Sequence, residues 1–87
     1  MSRLEKLLQK AIRSPQNLLF HEFCTLCTYF GMEKRGQSGS HVIYKRKVAP
    51  KFALSLQDDD GKAKPYQVRE FLSKIEELGL YDFREGE

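Results

Sequence analysis

The sequence predicts a small α+β domain in which three antiparallel strands form one sheet and the helices pack on one face, in the order α-α-β-β-β-α. Three observations carry this. Two N-terminal stretches and one C-terminal stretch repeat apolar residues at helical spacing. The middle of the chain, from Met32 to Gln57, alternates in polarity and is punctuated by Gly, Ser and Pro. A chain of 87 residues has enough surface to bury for one hydrophobic core and too little for two. Residues 1–87 are therefore read as a single domain, with 1–13 an additional N-terminal helix. A run of strands flanked by helices segregates into a sheet covered on one side.

Leu4, Leu7, Leu8, Ala11 and Ile12 follow the i, i+3, i+4, i+7, i+8 pattern behind Ser2. This predicts an amphipathic helix over 2–13, capped by Ser2 and cationic on its outer side. It either packs on the rest of the domain or meets a partner. Ser14-Pro15 is a start signal for the second helix, since proline at the first helical position forfeits an N–H that has no partner anyway. From there Leu19, Phe20, Phe23, Leu26, Cys27 and Phe30 line one side up to Gly31. As the most apolar helix, it should sit centrally in the core.

Met32 to Gln37 reads as the first strand, Ser38-Gly39-Ser40 as a turn and His41 to Lys47 as the second strand, which Ala49-Pro50 ends because proline cannot donate to a ladder. If Val42 and Tyr44 point inward, His41, Ile43 and Lys45 share the outer face; a one-residue slip reverses the two sets. Tyr44 inward is the preferred reading. Phe52, Leu54 and Leu56 alternate on the buried side of the third strand. Asp58-Asp59-Asp60-Gly61 carries the carboxylates a hard cation favours, but adjacent acids point in different directions and the same residue types build a tight turn. It is read as a turn. Gly61-Lys62-Ala63-Lys64-Pro65 leads into the last helix, with Val68, Phe71, Leu72, Ile75 and Leu78 on its apolar stripe and Gly79 as the stop. Leu80 to Phe83 extends the packing, and 84–87 should fray.

No apolar run approaches the roughly 18 residues of a membrane helix, and the N-terminus has no signal-peptide apolar block. A cytoplasmic location is expected, without a membrane partner. The net charge is +3 at pH 7, but its distribution says more. Between residues 31 and 57, six Lys and Arg stand against one Glu, whereas from 65 to 87 three face six acids. Either one face is cationic and suits a polyanion, or the charges are scattered and solvated. Cys24 and Cys27 form a CxxC in mid-helix, away from the N-terminus where thiol pKa values fall. With His21 they spread over too wide an arc to converge on one ion. Reduced, packed thiols are expected, with no metal and no small-molecule cofactor. His21 reads as an ordinary helix residue.

Gly39-Ser40-His41 followed by Ile43-Tyr44 resembles the Gly-Ser-His-x-hydrophobic-aromatic signature of HicA-type toxins, the small RNA-cleaving members of bacterial and archaeal toxin-antitoxin pairs. The likeness runs from about Leu19 to Leu78, and short forms of that family lack the N-terminal helix. The resemblance implies a double-stranded-RNA-binding-domain-like (dsRBD-like) fold over the last five elements. It further implies a type II toxin that is a metal-independent endoribonuclease (mRNA interferase), a HicB-like antitoxin as protein partner, and His41 at the position such toxins use.

The chemistry of the residues is compatible with that role. Histidine exchanges a proton near neutral pH, and RNA supplies its own nucleophile in the 2′-OH. His41 would transfer the proton while Lys45, Arg46 and Lys47 bind the phosphate. Lys62 and Lys64 precede a helix whose free N–H groups and dipole attract anions. Their Gly-Lys-Ala-Lys string is similar to the lysine cluster at the matching helix start of dsRBDs. They form either a phosphate cradle or a solvated turn. Lys34 and Arg35 could extend the surface. The alternative function is a non-catalytic RNA-binding module that uses the same cations.

Overall fold

The computed structural model describes residues 2–82. Its elements are α1 (Arg3–Arg13), a 3-10 turn (Pro15–Asn17), α2 (Phe20–Tyr29), β1 (Met32–Ser38), β2 (His41–Arg46), β3 (Ala53–Asp59), β4 (Lys62–Ala63) and α3 (Pro65–Glu77). The strands form one antiparallel sheet in the order β1-β2-β3-β4. The α+β class holds, but the sheet has four strands rather than three. Asp60 and Gly61 have φ values of 53° and 87°, the left-handed pair that a two-residue type I′ hairpin requires. This turn folds Lys62 and Ala63 back onto Asp59 and Asp58. Two residues are too few to leave a periodicity signal, so the return strand has no signature in the sequence.

The helix α1 begins as its sequence predicts and adds a reciprocal cap. The Glu5 N–H donates to Ser2 Oγ over 3.1 Å, and the Ser2 N–H reaches back to Glu5 Oε1 over 3.4 Å. Leu7, Leu8 and Ala11 are buried against the neighbouring helices, whereas Ile12, expected on the same stripe, is 47% exposed.

The second helix starts five residues later than expected. Ser14-Pro15 opens only a single 3-10 turn, after which Leu18 and Leu19 run extended along β4. The Ala63 N–H donates to the Leu18 carbonyl and the Phe20 N–H to the Gly61 carbonyl, over 3.0 and 2.9 Å. These bonds occupy the outer edge of β4, which requires the backbone at 18–19 to be extended rather than helical. Leu19 consequently turns outward instead of joining the apolar stripe. Glu22 then caps α2, accepting the Leu19 N–H over 2.9 Å and the Lys10 ammonium over 2.8 Å.

One core runs from Leu7 in α1 to Ile75 in α3. Phe71 meets Phe23 and Phe30 edge-to-face at centroid distances of 5.7 and 5.6 Å, and Tyr81 closes on Phe30 at 6.2 Å. Each fully buried side chain of this size contributes about 1.5 to 3 kcal/mol before entropy is counted. Val42, Tyr44, Leu54 and Leu56 supply the floor from the sheet, which settles the two registers left open for β2 in favour of Tyr44 inward. The Tyr44 hydroxyl donates to Cys24, and burial raises the pKa of that thiol and, further, that of Cys27. The thiols are packing groups. Leu80 and Tyr81 do extend the core, while Phe83 and the fraying expected of 84–87 lie outside the described residues.

Candidate functional site

The site is built on the β1–β2 hairpin. Only Gly39 and Ser40 separate the two strands, and Gly39 takes φ 60°, a value that side chains disfavour and that a two-residue turn needs at its first position. The Ser40 carbonyl accepts the Asp58 N–H over 3.0 Å, tying the turn to β3. His41 is thus the first residue of β2, with Ser38 directly across on β1 and Gln57 directly across on β3. Cross-strand partners share a face. Since Val42 and Tyr44 point inward, His41 stands exposed on the side of the sheet that carries no helix.

Three rows cross that open face, namely Ser38, His41, Gln57, then Gly36, Ile43, Ser55, then Glu33, Lys45, Ala53. A bulge at Arg35, between the Lys34–Tyr44 and Gly36–Ile43 pairs, keeps both ends of β1 in phase with β2. The first row joins an imidazole to a hydroxyl and a carboxamide. Gln57 is half-buried and its own backbone N–H is held by the buried Gln67 Oε1 at 2.8 Å.

The cations predicted to surround His41 do not gather there. Lys45 is exposed and makes no ion pair among the described residues, but four residues of strand place it about 13 Å from His41. Lys47 Nζ lies 3.0 Å from Glu33 Oε2, and Arg35 shares that carboxylate at 3.6 Å. Arg46 leaves the strip. Its side chain folds inward, Nε donating to the Phe30 carbonyl (2.8 Å) and Nη1 to the carbonyls of Val48 and Pro50 (2.6 and 3.0 Å). The alternation that puts Lys45 outside puts Arg46 inside, and the β2–β3 loop uses its guanidinium as a clamp. Lys34 likewise bonds Gln37 Oε1 at 2.9 Å.

Lys62 and Lys64 flank the other side. Lys62 stands opposite Asp59 on β4, exposed and on the same face as His41. Lys64 immediately precedes α3, with Nζ 3.5 Å from Asp59 Oδ2. The expected anion cradle is reduced, because Pro65 brings no N–H and the Gln67 N–H already donates to the Lys64 carbonyl. Across the whole open face, Arg35, Lys45, Lys47 and Lys62 outnumber Glu33 and Asp59. The face is therefore cationic overall but neutral immediately beside His41.

Behind the hairpin, on the helix side, a cavity of about 420 Å³ is lined by Phe20, Val42, Asp58 and Asp60, among others, and His41 does not line it. His21 is exposed on α2. Among the described residues no three His, Cys, Asp or Glu side chains come close enough to hold a metal ion, and no helix is long and apolar enough to cross a membrane. The register that joins Gln57 to His41 leaves no trace in sequence; only the strand pairing reveals it. No family model, curated protein or solved structure matches this chain.

Proposed function

We propose that this protein is an RNA-cleaving toxin of the HicA type, acting on messenger RNA without a metal ion and held in check in the cytoplasm by a HicB-like antitoxin. The observation that carries this reading is the placement of His41, exposed at the head of β2 on a net cationic face, directly behind the Gly39-Ser40 turn. The order of α2, β1, β2, β3 and α3 supports a dsRBD-like architecture, with α1 and β4 as additions.

Cleavage takes three events. His41 accepts the 2′-hydroxyl proton, the 2′-oxygen bonds to phosphorus, and the P–O5′ bond breaks as the leaving oxygen takes a proton from water. The products are a 2′,3′-cyclic phosphate and a 5′-hydroxyl. Lys45, Lys47 and Lys62 lie too far along the sheet to hold the scissile phosphate and instead bind its neighbours, aligning the strand over His41. Lys64, half-neutralised by Asp59, adds a weaker contact. An antitoxin that covers His41 and sets acids against Lys45 and Lys62 would block both functions.

The second reading is a non-catalytic RNA-binding module. It is favoured by the same separation of about 13 Å between His41 and Lys45. Induced expression of the wild type beside His41→Ala, read as growth arrest and message decay, separates the two. The nuclease reading predicts arrest and decay with the wild type alone; arrest by both proteins without message decay favours the binding module.

A further inference from the structure

The row that contains His41 also contains the carboxamide of Gln57, directly across on β3. We propose that Gln57 is a second catalytic residue of this site, its carboxamide N–H donating to a non-bridging oxygen of the pentacoordinate phosphorane formed while His41 holds the 2′-hydroxyl proton. The inference rests on the nuclease reading and deepens it.

Attack of the 2′-oxygen concentrates negative charge on the non-bridging oxygens, and a preorganised donor aimed there lowers the barrier. The cations of this face do not supply that donor. Lys45 is two rows from His41, Lys47 is further along and paired with Glu33, Arg46 points to the other side of the sheet, and Lys62 is two strands away. What adjoins His41 is Ser38 on one flank and Gln57 on the other.

Gln57 is the better placed of the two. Directly opposed side chains on neighbouring antiparallel strands have Cβ atoms about 5 Å apart, so an imidazole and a carboxamide can grip the same phosphate. Gln57 lies on an inner strand and is half-buried, whereas Ser38 ends the edge strand and is exposed. Its backbone is fixed from below, where Gln67, itself 6% exposed, accepts the Gln57 N–H. Its side-chain amide makes no hydrogen bond among the described residues. A half-buried amide with both N–H groups free, mounted on a fixed backbone beside an exposed imidazole, has the makings of an oxyanion donor. No atom is transferred to or from Gln57: it donates hydrogen bonds throughout, and the proton balance stays with His41 and water.

The test compares purified wild type, Gln57→Ala, Gln57→Glu and His41→Ala on one mixed-sequence RNA oligonucleotide, with its 2′-O-methyl analogue measuring binding without cleavage. Gln57→Ala should lower kcat about 100-fold, the usual effect of deleting one oxyanion donor, with the Kd for the analogue within about 2-fold and thermal unfolding retained. Gln57→Glu keeps the shape but loses the donors, so it should be at least as inactive as Gln57→Ala. A residue that merely fills space would tolerate Glu and move kcat little. If His41→Ala is inert while Gln57→Ala and Gln57→Glu turn over like wild type, the proposal is overturned and the nuclease reading stands. If His41→Ala cleaves like wild type, or wild type does not cleave, the nuclease reading fails and the Gln57 role falls with it.

Discussion

Arg46 Nε donates to the Phe30 carbonyl over 2.8 Å, joining the middle strand to the end of α2. With Nη1 bound to Val48 and Pro50, one guanidinium closes the β2–β3 loop and anchors it to the helix layer. Hydrogen bonds from a charged group contribute about 1.5 to 3 kcal/mol where they are shielded. This group is only partly so, and Arg46→Ala should cost about 2 kcal/mol in urea unfolding. Lys lacks the planar fork, and Arg46→Lys should recover less than half of the loss. RNA affinity of the folded variants should change less than for Lys45→Ala.

Glu22 links α1 to the start of α2 and gives stability a pH dependence. Partial burial alone raises its carboxyl, but the hydrogen bonds from Lys10 and the Leu19 N–H outweigh this, and the net shift is downward from the ordinary value of 4.5. A carboxyl that titrates lower in the folded chain stabilises fully above the unfolded value, and the contribution is lost as pH falls through the folded one. Glu22→Gln should therefore cost about 1 kcal/mol at pH 7, and the gap between the variant and wild type should close below pH about 4. Chemical unfolding at pH 7, 5 and 3 measures the gap. An unchanging difference would mean that the charge contributes nothing.

The open-face lysines are not equivalent. Lys45 and Lys62 make no ion pair among the described residues, whereas Lys47 and Lys64 sit 3.0 and 3.5 Å from Glu33 and Asp59. Each phosphate contact removed should lower the slope of log K against log salt by about one. Lys45→Ala and Lys62→Ala should show that change in filter-binding assays from 50 to 300 mM salt. Lys47→Ala and Lys64→Ala should show clearly less, since their partners already offset their charge. Equal slopes for all four would place the RNA elsewhere.

Much of this arrangement could be read from the chain, for identifiable reasons. The Gly39-Ser40 turn and the strict alternation of Phe52, Leu54 and Leu56 are local signals, and they located the hairpin and the buried side of β3. The direction of Arg46 is not local, because a cation at a strand end reads the same whether it faces solvent or carbonyls of a loop. Leu19 carries helical spacing, yet the edge of β4 captures its backbone and that of Leu18, a tertiary demand that overrides the start signal at Ser14-Pro15. Gln57 has no motif at all. Its relation to His41 exists only through the register of β2 on β3.

In the proposed reaction the exposed imidazole of His41 performs the proton transfer. The most direct measurement is the single-turnover cleavage rate of one RNA by purified wild type and His41→Ala, at matched far-UV circular dichroism and matched affinity for the 2′-O-methyl analogue. The variant's rate should be at least about 100-fold lower, as befits the loss of a general base. Equal rates from two folded proteins that bind RNA alike would show that His41 does not carry the proton.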